Sequence, residues 1–387
     1  MSKVFDCIVL GVGGMGSAAL LYAAKKSWRT IGIDRFEPGH ARGSSHGRTR
    51  IIRQAYFEHP DYVPLLLDSY QLWEEIQSAS GQHLFEETGL LQVGDPQGDV
   101  ISGIRRSADE HSLDLVELKT NELRQHYPLF NFRDGDVGLF EKAAGFLRVE
   151  KSVCAFVEAA KQQGAELQTS TVVKRWSEGA AGFEVEIEDA NGQNAETIRG
   201  LRLIVTAGAW ASALLGDSMP GVASKLQVVA KHQHWFKIND DRIRLEAGCP
   251  TFFFETGDGC FYGFPDCDGH GAKIAEHTGG VSVEDPLTVN RELDTQDLQR
   301  VQQFSQVCFN APRGIHIGHS VCMYTMSPDE HFIVDRIGEN VSFACGMSGH
   351  GYKFAPVIGR ALVDMLDGNL RADMQFLKAS RFDAKES

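Results

Sequence analysis

The stretch Gly11-Val12-Gly13-Gly14-Met15-Gly16 decides the first part of the fold. It directly follows residues 4–10, a short apolar run of the kind found in buried parallel strands. Apolar residues then recur at helical spacing over 14–26, and a second short strand is predicted at 29–34. The order strand, glycine-rich turn, helix, strand predicts a βαβ unit of a parallel sheet.

The glycine spacing and one acidic residue indicate a dinucleotide site at this unit. Gly11, Gly13 and Gly16 form G-x-G-x-x-G, in which the glycines allow a tight turn, close approach of a pyrophosphate and close helix–strand packing. The N-terminus of the helix presents unpaired N–H groups to the phosphates. Asp34 ends the second strand, where a carboxylate can bind ribose hydroxyls. The motif alone does not distinguish FAD from NAD.

Composition excludes several classes of protein. The 387 residues are 42% hydrophobic and 23% charged, which predicts an ordinary globular chain of two domains. The net charge of −14 argues against nucleic acid or an anionic membrane as a partner, and no apolar run reaches the ~18 residues of a membrane span. The eight cysteines form no CxxC pair and the histidines lack metal-ligand spacing. We therefore predict reduced thiols in a cytoplasmic protein without a metal site.

The predicted elements divide between two interleaved domains. The α/β segments at the start, middle and end of the chain are alike, whereas the segments between them are aromatic-rich and strand-like. We therefore predict a mixed α/β (α+β) fold, with a Rossmann-like dinucleotide-binding domain and a discontinuous, mainly antiparallel β-sheet domain for the substrate. The first domain is predicted to comprise residues 1–80, 150–215 and 320–387, and the second residues 81–149 and 216–319.

Further stretches in the chain resemble those of a known family. They are, in chain order, 43–53 (GSSHGRTRIIR), 206–210 (TAGAW), 261–265 (FYGFP) with Lys273 and His277, 322–325 (CMYT) with 328–335 (PDEHFIVD), and 346–354 (GMSGHGYKF). Together they resemble the monomeric sarcosine oxidase family, which includes N-methyltryptophan oxidase and pipecolate oxidase. The matches span nearly the whole chain. They imply an FAD-dependent oxidoreductase that acts on CH–NH groups, with oxygen as the acceptor.

The resemblance also implies which residues hold the flavin. Besides the three motif glycines and Asp34, the family's cofactor positions correspond to Ser44, His46, Thr49, Arg50, Val173, Gly208, Trp210, Cys322, Gly346, Gly349, His350, Gly351 and Lys353. Cys322 matches the cysteine that carries the flavin 8α-methyl group through a thioether. The alternative for Cys322 is a buried structural thiol, and Trp210 fits packing as well as cofactor contact.

The same comparison implies a set of catalytic and substrate-binding residues. The catalytic positions correspond to Lys273, Arg50, Tyr262 and His277, and the substrate positions to Arg53, Lys353 and Tyr324. A cation at Lys273 stabilises the negative charge that develops on oxygen, while an arginine and a lysine together suit a carboxylate. Each of these roles has a structural alternative. Lys273 could be a solvated lysine, Arg53 could form an ion pair with Glu58, and Tyr262 could be a core aromatic residue.

The motifs give conflicting indications of the amine substrate. The stretches 145–148 and 250–254 resemble N-methyltryptophan oxidase, whereas the Ser-Ser-His-Gly loop at 44–47 points to pipecolate oxidase. We rank a sarcosine-like N-methyl amino acid first, N-methyl-L-tryptophan second, and pipecolate or another cyclic amino acid third. The expected products are the amino acid, formaldehyde and hydrogen peroxide. An NAD-dependent dehydrogenase and a non-catalytic flavoprotein subunit are the rivals from other classes, and the family implies a monomer.

Overall fold

The computed structural model describes residues 3–385, which form a mixed α/β fold with four sheets. The helices are α1 (Gly14–Lys25), α2 (Tyr62–Ser80), α3 (Asp99–His111), α4 (Thr120–His126), α5 (Val149–Gln162), α6 (Ala211–Leu215), α7 (Pro220–Ala223), α8 (Thr295–Cys308) and α9 (Ala355–Leu366). The strands are β1 (Val4–Phe5), β2 (Cys7–Leu10), β3 (Thr30–Ile33), β4 (Thr49–Ile52), β5 (Phe85–Glu86), β6 (Leu90–Gly94), β7 (Val116–Lys119), β8 (Val137–Glu141), β9 (Gly145–Arg148), β10 (Glu166–Gln168), β11 (Thr171–Gly179), β12 (Gly182–Asp189), β13 (Glu196–Gly200), β14 (Leu203–Val205), β15 (Gln227–Lys237), β16 (Thr251–Thr256), β17 (Gly259–Phe264), β18 (Ala272–Glu276), β19 (Val281–Ser282), β20 (Ile315–Met326), β21 (Ile333–Ile337) and β22 (Val341–Cys345).

The predicted βαβ unit belongs to a six-stranded sheet with the order β10-β3-β2-β14-β22-β21. The first five strands run parallel, and β21 pairs antiparallel with β22. Helix α1 packs against α5 and α9, and their apolar side chains share one core cluster with β2. Because the strands come from the start, middle and end of the chain, this sheet confirms the predicted Rossmann-like architecture.

Two glycines bring α1 against the end of β2. Gly11 has a φ of +86°, a conformation that other residues rarely adopt. A Cβ atom at Gly16 would lie only 1.8 Å from the Gly11 carbonyl oxygen. Any side chain at Gly16 would therefore push the helix away from the strand, which is the packing role predicted for the third glycine of the motif.

The largest sheet has nine strands and supplies residues to the candidate site. Its path is β19-β15-β18-β17-β16-β6-β8-β7, with β20 paired to β15. It is antiparallel except for the parallel pair β6 and β16, as predicted for the substrate domain. The predicted boundary at residue 320 falls inside β20.

Two smaller sheets complete the fold. The order β4-β9-β5 forms a three-stranded sheet in which β4 carries Thr49 and Arg50, with Arg53 just beyond its end. The order β1-β13-β12-β11 forms a four-stranded sheet in which β11 carries Val173. Within residues 3–385, no helix is both long and apolar enough to cross a bilayer.

Candidate functional site

A cavity of about 370 Å³ begins at the glycine-rich turn and reaches the nine-stranded sheet. The predicted cofactor residues that line it are Gly11, Gly13, Asp34, Ser44, Arg50, Val173, Gly208, Trp210, Gly346, Gly349 and Gly351. The predicted cofactor residues outside its lining are Gly16, His46, Thr49, Cys322, His350 and Lys353. Most of the predicted cofactor positions, which are far apart in sequence, therefore meet around one cavity.

Asp34 holds the glycine-rich turn in place. One carboxylate oxygen accepts a hydrogen bond from the Val12 N–H at 2.6 Å, and the other accepts from the Phe36 N–H at 2.9 Å. Burial raises the pKa of Asp34, while these backbone donors and the nearby His40 act in the opposite direction. A carboxylate offers about four acceptor sites, so Asp34 can still accept a hydrogen bond from a ribose hydroxyl.

Two unpartnered polar atoms support a polar ligand in this cavity. Trp210 Nε1 and Thr325 Oγ1 are buried and have no hydrogen-bond partner among the described residues, and both residues line the cavity. A buried donor or acceptor without a partner costs about 1–3 kcal/mol. A bound FAD offers phosphate, ribose and ring atoms that would satisfy such groups, so the lining fits this cofactor.

Cys322 lies directly behind the cavity wall. Its neighbour Met323 lines the cavity, whereas Cys322 itself is fully buried on β20. The Arg50 guanidinium donates to Cys322 Sγ at 3.1 Å, and the thiol lies 3.3 Å from the Ser44 carbonyl oxygen, which accepts its hydrogen bond. Ser44 and Arg50, which both contact the Cys322 sulfur, also line the cavity. The sulfur therefore lies next to residues that face the ligand space.

His46 is also behind the wall. It is buried, and its Nδ1 lies 3.3 Å from the Ser320 hydroxyl on the strand that carries Cys322. Burial, with the nearby Arg50 adding to the effect, lowers the pKa of His46 to about 3. The imidazole is therefore neutral at physiological pH.

A second cavity of about 50 Å³ adjoins the first. The two cavities share Arg50, Tyr324, Gly349 and Tyr352 as lining residues. The remaining lining residues of the small cavity are Ile51, Arg53, Glu58, Phe253, Tyr262, His277, His350 and Lys353. The predicted substrate residues therefore surround one small space beside the cofactor cavity. His350 and Lys353, predicted as cofactor positions, lie on this smaller cavity.

Two buried basic side chains of the small cavity, Arg53 and Lys353, lie close to the ring of Tyr56. The Arg53 guanidinium carbon is 4.6 Å from the centre of the Tyr56 ring, and Lys353 Nζ is 5.1 Å from it. Lys353 Nζ donates to the His350 carbonyl oxygen at 2.7 Å. Burial, together with the charge of Arg53, lowers the pKa of Lys353 well below its usual value. An anion bound here would favour the charged form of the amine.

Glu58 forms an ion pair with Arg53. Arg53 Nη2 donates to Glu58 Oε1 at 2.7 Å and also contacts Oε2. Although burial opposes its charge, the guanidinium holds the pKa of Glu58 at about 2. The ion pair that was the alternative interpretation of Arg53 is therefore formed. Arg53 nevertheless also lines the small cavity.

The aromatic wall of the small cavity is uncharged. Burial, with neighbouring charged groups modulating the effect, lowers the pKa of His277 to about 3. The His277 ring lies 5.9 Å from both the Phe253 and the Tyr324 ring centres. Burial also raises the pKa of Tyr262 and of Tyr324, so both phenols keep their protons. Tyr262 is at once a core aromatic and a cavity residue.

Lys273 lines a different cavity, of about 250 Å³, which it shares with Thr49, Trp235 and Arg148. The lysine is buried on β18, and its Nζ donates to the Gly47 and Thr49 carbonyl oxygens at 2.9 and 2.7 Å. Burial and the charge of Arg50 lower its pKa well below the usual value. The alternative of a solvated surface lysine is wrong, because the side chain is 2% exposed.

The cavity residues that were not predicted as site residues include Tyr352, Phe253 and Thr325. Tyr352 lines both the cofactor cavity and the small cavity, and its hydroxyl donates to the Val149 carbonyl oxygen at 2.8 Å. Phe253 and Thr325 line the small and the large cavity, respectively. Tyr352 and Thr325 lie inside the motifs quoted above. Their position in those motifs is the sequence signal that could have identified them as site residues. Nothing local distinguishes Phe253 from its phenylalanine neighbours.

Comparison with known proteins agrees with this geometry. Residues 6–365 match the family model described as FAD dependent oxidoreductase. The monomeric sarcosine oxidase of Streptomyces avermitilis is 37% identical over 373 residues, 94% of each chain. The N-methyl-L-tryptophan oxidase of Yersinia pestis is 32% identical over 363 residues, 92% of this chain and 93% of the relative.

Solved structures share the fold at lower identity. NikD, described as an unusual amino acid oxidase essential for nikkomycin biosynthesis, aligns with a TM-score of 0.82 at 20% identity, over 97% of this chain and 98% of that chain. The L-proline dehydrogenase from P. horikoshii aligns with a TM-score of 0.81 at 19% identity, over 99% of both chains. The glycine-rich turn, the cavity that starts there and the family match over most of the chain lead to one conclusion. This chain belongs to the family of FAD-dependent oxidoreductases.

Proposed function

We propose that the chain is a flavin-dependent oxidase of small secondary amino acids, with a sarcosine-like N-methyl amino acid as the preferred substrate. When bound, the flavin accepts a hydride equivalent from the carbon next to nitrogen and passes the electrons to oxygen. The balanced reaction consumes the N-methyl amino acid, oxygen and water, and it yields the primary amino acid, formaldehyde and hydrogen peroxide.

The observation that carries this proposal is the pair of buried cations beside the cofactor cavity. Arg53 and Lys353 line a space of about 50 Å³ that shares four residues with the larger cavity. A carboxylate can accept hydrogen bonds from both cations. A cavity needs roughly 10–15 Å³ of volume, measured in the same way, to hold one water molecule. The small cavity therefore favours a substrate of the size of sarcosine over one with an indole side chain.

The other residues of the small cavity position the substrate amine without protonating it. Tyr262, Tyr324 and His277 surround the small cavity as neutral groups, and burial of His277 keeps it deprotonated. A neutral imidazole can accept a hydrogen bond but does not act as a general acid at physiological pH. We infer that the amine reacts in its neutral form, so that no strong base is required.

Lys273 and Cys322 have separate parts in the proposal. We assign oxygen reduction to the cavity of Lys273, because a buried amine there is stabilised in its charged form when negative charge develops nearby. We assign the covalent flavin link to Cys322, because its Sγ lies 3.1 Å from the Arg50 guanidinium, which lines the cofactor cavity.

Two further proposals concern the cellular compartment and the oligomeric state of the enzyme. All eight cysteines are unpaired, which supports a reducing compartment such as the cytoplasm. We also propose that the enzyme is a monomer, as the family resemblance implies.

A peroxide assay with the purified, FAD-loaded chain tests the proposed function. The substrates are sarcosine, N-methyl-L-tryptophan, L-pipecolate, L-proline and a fructosyl amino acid, with dimethylamine as a matched compound that lacks the carboxylate. We expect the highest kcat/KM with sarcosine, equal amounts of formaldehyde and peroxide, and no turnover of dimethylamine. A higher kcat/KM with N-methyl-L-tryptophan would contradict the size argument, and no peroxide from any amine would reject the oxidase.

A further inference from the structure

A strap of residues 281–291 crosses the outside of the cofactor cavity. It begins with β19, which pairs with β15, and the Val283 N–H donates to the Val228 carbonyl oxygen at 2.8 Å. Beyond β19, the half-buried residues of the strap are Val283, Pro286, Val289 and Arg291, and the residues between them are exposed. This spacing turns one face of the strap towards the protein although the segment lines none of the three cavities.

Apolar contacts hold the strap against the wall of the cofactor cavity. Val283 and Val289 pack on a cluster that contains Ala209 and Met323, and Trp210 packs against the same cluster. Ala209, Trp210 and Met323 line the cofactor cavity from the inside. The strap therefore supports the outer side of the same wall that faces the ligand space.

Arg291 connects the strap to two other segments of the cofactor site. Its Nη1 donates to the Ala41 and Val321 carbonyl oxygens at 3.0 Å each, and its Nη2 donates to the Arg42 carbonyl oxygen at 2.9 Å. Residues 43–45, which follow Ala41 and Arg42, line the cavity. Val321 directly precedes Cys322. The guanidinium thus joins the loop on one side of the cavity to the strand that carries the thiol.

The loop at residues 39–46 depends on such contacts because it belongs to no helix or sheet. Its Ala41 and Arg42 carbonyls would otherwise face water. Arginine has several N–H donors in a planar fork, so one side chain can bond three carbonyls on two segments at once. A lysine keeps the charge but lacks this fixed geometry.

We propose that Arg291 is a positioning residue for the cofactor: it fastens the strap to the loop at 39–46 and thereby holds FAD in its site, where the proposed link to Cys322 can form. The inference rests on the proposed flavin chemistry only in that the chain must bind FAD. It adds a function for a segment that contacts neither the substrate cavity nor the cavity of Lys273.

The test compares Arg291→Gln with Arg313→Gln, an exposed arginine that bonds Gln302 at 2.9 Å. Both substitutions are made in a Cys322→Ala background, so that FAD can dissociate. FAD release after dilution is followed by flavin fluorescence, and hydrogen exchange is measured on the loaded proteins. We expect release to be at least tenfold faster with Arg291→Gln, within twofold of the parent with Arg313→Gln, and intermediate with Arg291→Lys. Exchange should accelerate at 39–46 and 283–291 but not in α5 or α9.

Equal release rates for the Arg291 and Arg313 variants would overturn the proposal, as would faster exchange spread over the whole chain, since that pattern indicates a general loss of stability. If Arg291→Gln does not fold, Val289→Ser weakens the apolar contacts of the strap and should also speed release. An unchanged rate with that variant would likewise overturn the proposal. A wild-type chain that takes up no FAD would instead reject flavin binding itself, before any Arg291 variant is compared.

Discussion

Replacement of Lys353 by methionine tests the proposed carboxylate site and distinguishes function from stability. Methionine has nearly the same length as lysine but lacks the amine. In the folded protein Lys353 is 4% exposed. Its amine donates to the His350 carbonyl oxygen at 2.7 Å and has a pKa lowered first by burial and then by Arg53. The lysine is therefore unfavourable for folding, and we expect it to be retained for the ligand.

The expected effect on turnover follows from the charge that is lost. Removing one partner of a buried, hydrogen-bonded charge pair costs about 2–5 kcal/mol. At ~1.4 kcal/mol per factor of ten, kcat/KM for sarcosine should fall by roughly 30- to 4,000-fold, mainly through KM. The free energy of unfolding should stay the same or increase, because replacing a buried charge with an apolar group of similar volume is often neutral or stabilising.

The assay measures peroxide formation against sarcosine concentration, together with denaturant unfolding. Lys142→Met is the matched control, because it makes the same change in net charge at an exposed position. It should leave both measurements unchanged. A KM for Lys353→Met within threefold of the wild type, combined with a stability loss of more than ~2 kcal/mol, would refute the reasoning, since the lysine would then be structural.

Three further predictions concern other buried groups. Lys273→Met should leave reduction of the flavin by sarcosine unchanged but slow its reoxidation by oxygen roughly 100-fold or more; stopped-flow absorbance measures both steps, and an unaltered reoxidation rate would contradict the assignment. Cys322→Ala should release its flavin on acid precipitation, whereas the wild-type pellet stays yellow; a colourless wild-type pellet would rule out the thioether. The pKa of His277 is lowered from 6.5 to about 3 by burial, so below pH 6.5 the unfolded state binds more protons than the folded state, and stability should fall by up to ~1.4 kcal/mol per pH unit for this group. His277→Asn should reduce that slope between pH 6.5 and 4 in denaturant titrations, and an identical slope would show that the imidazole is not held neutral.

The residues around the glycine-rich turn were predictable because their requirements are local. Gly11 needs a positive φ, and Gly16 must allow the approach of a backbone oxygen, so only glycine fits either position. Asp34 is placed by the end of a strand that begins a few residues earlier. The short apolar runs predicted the parallel strands for the same reason, since burial on both faces requires apolar side chains throughout.

Other features of the site depend on contacts between segments that are distant in sequence. Arg53 and Lys353 are separated by 300 positions in the chain, and only the packing of the loop after β4 against the turn before α9 brings both to the Tyr56 ring. The neutrality of His277 is also a consequence of burial, which no local pattern specifies.

The sequence by itself determined the dinucleotide-binding unit, the mixed α/β fold and the family, because these follow from backbone requirements and motifs that lie within short stretches. The tertiary structure alone decided the size of the small cavity, the separate cavity of Lys273 and the link from Arg291 to the cofactor loop. The physical reason is that volume, desolvation and carbonyl contacts arise only when distant elements pack together.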